Sequence, residues 1–130
     1  MTDVALVVLG CALGGMARHF FAGFVARRAG ETFPWGTLAV NVSGAFAVGV
    51  AAANASAAHG LFADPGLWRL AVVGFLGSYT TVSSVSIQTL ALVHGGQAWR
   101  AAANLALSFC LCLPSAALGM GAGAALFGKA

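Results

Sequence analysis

Gly74-Phe75-Leu76-Gly77-Ser78-Tyr79-Thr80-Thr81-Val82-Ser83-Ser84-Val85-Ser86 lies inside an apolar run from about Leu70 to Val93. A run of that length can cross a bilayer, since a spanning helix needs about 20 apolar residues. Its midpoint falls near Thr81. Hydroxyls and glycines at that depth are costly, because no water is there to pair with a freed polar group. Irregular backbone persists at membrane depth only where protein buries it or where it lines a wet cavity. The pattern therefore predicts a helix broken near its midpoint, with a site at the break and the other segments arranged around it.

Three further apolar runs flank this one, about Val4–Val25, Trp35–Ala58 and Ala101–Phe127, each long enough to span. Of the 130 residues, 60% are hydrophobic and 7% charged. Soluble domains are nearer a quarter charged, so the expected class is an all-α membrane protein with four transmembrane helices in one domain. The net charge of +3 suits contact with lipid headgroups. No basic stripe interleaved with exposed aromatics is present, so nucleic-acid binding is not expected. Met1-Thr2-Asp3 lacks the positive start of a cleaved signal peptide, and the first run reads as a span.

The connections carry nearly all the charge: Arg27, Arg28 and Glu31, then His59, Asp64 and Arg69, then His94 and Arg100. Phe33, Trp35, Phe62, Trp68 and Trp99 sit near the run ends, as interfacial anchors do. Gly10-x-x-x-Gly14 and Gly119-x-x-x-Gly123 point to close helix packing or to self-association. Cys11, Cys110 and Cys112 lie in apolar runs without nearby His or acidic ligands, and read as small packing residues.

The amino terminus, second loop and carboxyl terminus share one side, with Arg69 and Lys129. The first and third loops share the other, with Arg27, Arg28 and Arg100, and Arg18 lies deeper in the first span. A bias this small does not fix one topology by the positive-inside rule. Insertion both ways would allow an antiparallel, dual-topology dimer whose two-fold axis lies in the membrane plane, with the two breaks meeting on it.

Several polar residues stand within the spans. Arg18 is about two turns inside, either a cation at the mouth of an anion pathway or a snorkelling side chain tied to a carbonyl or carboxylate. Thr37 and Asn41 share a helix face, and the Asn41 amide either donates to an anion or bonds across to another helix. Thr81, Ser84 and Gln88 make a polar stripe on the third span, with Val82 and Val85 an apolar pair beside it. Asn104, Ser108 and Cys112 recur every four residues on the fourth. Any one serine can satisfy itself on a backbone carbonyl of its own helix. Stripes on three helices together suggest a narrow path lined by hydroxyl and amide donors.

No span contains a carboxylate, and no histidine lies deep: His19 is next to Arg18, while His59 and His94 are at run ends. A proton-coupled exporter needs a titrating group within the membrane, so a small dual-topology drug exporter fits poorly. No nucleophile–base pair, metal-ligand cluster or phosphate loop is evident, so an enzyme is not expected.

The third-span stretch resembles the motif of the CrcB/Fluc fluoride channels, approximately Gly-Phe-x-Gly-Gly-x-Thr-Thr-Phe-Ser-Thr-Phe-Ser. Gly14-Gly15-Met16-Ala17-Arg18 and Pro34-Trp35-Gly36-Thr37-Leu38-Ala39-Val40-Asn41-Val42-Ser43-Gly44 are similar to that family as well. The resemblance implies passive fluoride efflux across the cytoplasmic (inner) membrane, through two pores of a dual-topology dimer with a sodium ion on its axis. By position, the Gly77 and Thr80 carbonyls of both subunits would hold the sodium. Asn41, Ser83, Ser84 and Ser108 would line the pore, and Arg18 matches the family's first-span arginine. Where the family has two pore phenylalanines, this chain has Val82 and Val85, and Ser78 replaces the motif's second glycine. Valine offers no ring edge to an anion. The chain therefore conducts differently, conducts poorly, or pairs with a related subunit that supplies the rings. Phe75, Tyr79 and Phe46 are candidate substitutes.

Overall fold

A computed structural model describes residues 2–30, 32–57 and 60–128. Glu31, His59 and Lys129, and the expected end of the second span at Ala58, lie outside the described residues. Four apolar spans are present: α1 (Thr2–Ala29), α2 (Trp35–Ala55), a composite third span (Pro65–His94) and α6 (Ala98–Phe127). Among the described residues there is no strand.

The third span is assembled from α3 (Pro65–Trp68), a π-helical segment (Arg69–Leu76), α4 (Gly77–Tyr79) and α5 (Ser83–His94). Residues 80–82 are not helical, which is the expected mid-span break. The π-helical segment was not signalled by the hydrophobic pattern. At the span's entry, Asp64 Oδ1 accepts from the Leu67 N–H at 2.8 Å and Pro65 occupies the first helical turn. That is the arrangement expected of a capped helix start. At the other ends, Gly30 after α1 (φ +90°) and Gly96 after α5 (φ +71°) adopt the left-handed conformation that stops helices.

The packing follows from where the small residues fall. A Cβ on Gly10 would collide with the Leu70 carbonyl, and one on Gly14 with the Phe75 carbonyl. The first Gly-x-x-x-Gly motif therefore seats the early third span on α1. A Cβ on Gly119 would collide with the Phe46 carbonyl, and one on Gly123 would come within 2.7 Å of Ala53 Cβ. The second motif thus seats α6 on α2. Both motifs serve packing within the chain.

The third span changes partner at its break: the segment before it packs on α1, while α5 packs on α6. α2 touches both sides and carries much of the core, with Val40 fully buried. The outer faces of α1 and α6 leave large apolar residues such as Val8, Phe20, Leu113 and Leu118 exposed. In a four-span chain those faces meet lipid or a second chain.

Candidate functional site

At the break, Thr80 takes an extended conformation (φ −79°, ψ 158°) that ends α4. The chain can lie there because α2 presents Gly44. A Cβ at that position would strike Thr80 Cγ2 and come within 3.2 Å of the Tyr79 ring.

Side chains take over the hydrogen bonds that a continuous helix would make. The Thr81 N–H would ordinarily donate to the Gly77 carbonyl. It donates instead to Asn41 Oδ1 at 2.8 Å, while Asn41 Nδ2 donates to the Thr81 carbonyl at 2.8 Å. The Ser84 N–H would donate to the Thr80 carbonyl, but donates to Thr81 Oγ1 at 3.2 Å. Thr80 Oγ1 turns back to the Leu76 carbonyl at 3.0 Å. The Gly77 and Thr80 carbonyls are consequently left without a hydrogen bond among the described residues. Oxygens freed by a helix break are chemically suited to a hard cation.

Two cavities flank the break. The first, about 520 Å³, is polar and lies between α1, α2 and α5, with Arg18, His19, Thr37, Thr81, Ser84 and Gln88 on its walls. The second, about 800 Å³, is a largely apolar groove between α2, the break, α5 and α6. Asn41, Val82, Val85, Ser86, Ser108 and Phe109 are among the residues that line it, and Gly77 and Thr80 stand on its wall. Thr81 borders both.

The polar stripe Thr81–Ser84–Gln88 is therefore brought together, and it faces Arg18 across the first cavity. The Arg18 guanidinium makes no hydrogen bond or ion pair with any described residue, so the structural tie to a carbonyl or carboxylate is not found there. Gln88 Oε1 is buried and has no hydrogen-bond partner among the described residues. The Thr81 hydroxyl donates to Ser84 Oγ at 3.2 Å and shares a 3.1 Å hydrogen bond with Ser83 Oγ. With Thr81 donating onward, Ser83 is the donor of that pair. The three hydroxyls thus polarise one another in a row, and the Ser84 hydrogen is left uncommitted at the cavity wall. Ser83 itself lines neither cavity.

The Asn41 amide bonds across to another segment, as one of its two readings had it, and one of its N–H groups remains uncommitted at the groove. Val82 and Val85 line the same groove, although their exposures differ widely, 80% against 8%. Val82 is the residue preceding α5, whereas Val85 lies within it. Ser108 and Cys112 also line the groove, whereas Asn104 is 1% exposed and turns inward, donating to Thr89 Oγ1 at 2.9 Å.

None of the candidate ring substitutes lines the groove. Phe75 and Tyr79 stack on each other (centroids 6.0 Å apart), near Phe21 of α1, and the Tyr79 hydroxyl shares a 3.0 Å hydrogen bond with Ser43. Phe46 lies along the α2–α6 contact. The aromatic ring in the groove is Phe109. Sequence reasoning missed it because it followed only the polar positions of the fourth span. Leu105, Ser108, Phe109, Cys112, Leu113 and Ala116 recur at the spacing of one helix face, and that pattern would have found it.

Residues 5–120 match the family described as CrcB-like protein, Camphor Resistance (CrcB). The chain is 58% identical over 116 residues to a Fluoride-specific ion channel FluC 2 of Rhodopseudomonas palustris (strain BisB18), covering 89% of this chain and 88% of the relative. It is 50% identical over 119 residues to a Fluoride-specific ion channel FluC 2 of Bradyrhizobium diazoefficiens, covering 92% and 87%. To a Fluoride-specific ion channel FluC 4 of Brucella abortus biovar 1 it is 45% identical over 116 residues, covering 89% and 87%.

Proposed function

This chain belongs to the CrcB family, and on that premise we propose that it is a fluoride-specific channel for passive efflux across the cytoplasmic membrane, and not an enzyme. The observation that carries the reading is its near full-length likeness to relatives named as fluoride-specific channels. The chemistry of the site supports it. Fluoride is small and tightly hydrated, so a dry route must replace its water with a succession of donors. Arg18, the Ser84 hydroxyl and the spare Asn41 N–H are donors of that kind on either side of the break. Ser83 contributes through Thr81. Ser108 and Ser86 donate their hydroxyl hydrogens to the Asn104 and Val82 carbonyls, and must rotate away to serve an anion. Neutral hydrogen fluoride crosses membranes unaided and dissociates inside, so a passive anion route suffices to remove fluoride.

The working assembly in this reading is an antiparallel dimer in the lipid bilayer. Gly77 and Thr80 line the apolar groove, where a second chain inserted the other way up would meet their carbonyls. Those carbonyls from both chains would hold a sodium ion, a hard cation that takes oxygen ligands and ties the two breaks together. The second chain is either another copy or a related subunit that supplies the ring edges missing at Val82 and Val85.

Fluoride efflux from liposomes containing the purified chain alone is the deciding measurement. Efflux that is selective over chloride supports the channel. No efflux from the chain alone, with efflux restored by a co-purifying relative, establishes the heteromer. No efflux under either condition overturns the proposal.

A further inference from the structure

Asn41 of α2 bonds directly to the backbone at the break. Its side chain bonds both backbone groups of one peptide unit 40 residues away, accepting from the Thr81 N–H and donating to the Thr81 carbonyl. The N–H it captures is the one a continuous helix would return to the Gly77 carbonyl. An amide is the side chain suited to this double role, with an acceptor and a donor side by side. A hydroxyl is too short to span both groups, a carboxylate can only accept, and an aliphatic side chain can do neither.

We propose that Asn41 is a positioning residue for the cation site, and that it sets cation affinity by holding the Thr81 peptide away from the Gly77 carbonyl. This rests on the reading that the freed carbonyls bind sodium. Asn41 does not touch the ion. It keeps a ligand oxygen available by removing the hydrogen-bond donor that competes for it. Removing the clamp lets Thr81 N–H fall back toward Gly77, since a buried N–H without a partner is costly at membrane depth. The cation then has to displace an internal hydrogen bond, and its affinity falls. The spare Asn41 N–H faces the groove, so one side chain links the cation site to the anion route.

The test is a sodium titration of purified protein in detergent, with N-methyl-D-glucamine as the balancing cation. The sodium dependence of the melting temperature is the readout, because a ligand that binds only the folded state raises that temperature. Fluoride efflux from liposomes is measured in parallel. For Asn41→Leu, the sodium midpoint is expected to rise at least about tenfold, because both hydrogen bonds are lost. For Asn41→Ser, whose hydroxyl is too short to hold both groups, the midpoint is expected to rise at least about threefold, with no new charge near the cation. An Asn41→Leu midpoint equal to wild type overturns the proposal. If Asn41→Leu does not yield folded protein, Asn41→Ser decides: a raised midpoint supports the proposal, and a midpoint equal to wild type overturns it. A wild-type protein indifferent to sodium would instead remove the sodium reading itself, a result visible before any variant is made.

Discussion

The two cavities beside the break differ in what they need. The first is walled by α1, α2 and α5 of one chain and presents a cation, hydroxyls and an amide. The second is walled mainly by apolar side chains, runs along α6, and is lined also by Gly77 and Thr80, whose carbonyls have no hydrogen bond among the described residues. A polar cavity can be finished by water, whereas an apolar groove with unpaired carbonyls at membrane depth calls for protein to cover it. The contrast separates a polar vestibule walled by one chain from an apolar groove that the same chain leaves uncovered.

Closing the break should erase both regions together. Gly44→Val places methyl groups where Thr80 Cγ2 and the Tyr79 ring now lie. Overpacking of this kind costs about 1–3 kcal/mol, and here it acts on the residue that sets the break. Loss of fluoride efflux with a lowered melting temperature is expected. Normal efflux would show that the break is not part of the route.

The valines test the groove alone. Two ring edges at about 1 kcal/mol each correspond to a gain in rate of about one to two orders of magnitude. Val82→Phe should supply most of it, because Val82 is 80% exposed and has room for a ring. Val85→Phe should lower the melting temperature, since Val85 is 8% exposed and a larger side chain there overpacks. Equal rates for wild type and Val82→Phe would mean that Phe109 or another donor already serves the ion.

Ser84 and Ser86 are two residues apart and so on roughly opposite faces of α5, which sets the two cavities against each other. Ser84→Ala removes the uncommitted hydroxyl hydrogen in the polar cavity, and efflux should fall about tenfold, the effect of one hydrogen bond of about 1.4 kcal/mol. Ser86→Ala removes a hydroxyl already bonded to the Val82 carbonyl at 3.1 Å, and should change efflux less than about twofold. Efflux measured side by side on the two variants checks the order, and the reverse order would show that the Ser86 hydroxyl serves the ion rather than its own helix.

The smallest effect is expected at the membrane edge. Arg69 Nη1 bonds Asp3 Oδ1 at 3.0 Å with both side chains substantially exposed. Asp3→Ala should cost less than about 1 kcal/mol and leave efflux unchanged. A larger loss on a denaturation curve would indicate that this pair fastens α1 to the third span.

Four apolar runs, the short charged connections and the mid-span break near Thr81 were legible in the sequence, because span length and the cost of polar groups in lipid are local properties of the chain. The Thr81–Ser84–Gln88 stripe was legible for the same reason, as helical spacing puts those residues on one face. The π-helical segment and the choice of Asn41's partner were not. Neither was the division of the lining residues between two cavities, nor the presence of Phe109 in the groove. Those depend on which helices lie side by side, and glycines set those approaches, Gly44 of α2 at the break and Gly49, Gly119 and Gly123 between α2 and α6. Asn41 and Thr81 are 40 positions apart, and only that packing brings the amide of one onto the peptide of the other. A sequence pattern can mark a donor as costly in lipid, but the tertiary structure decides which acceptor satisfies it and which carbonyls are left free.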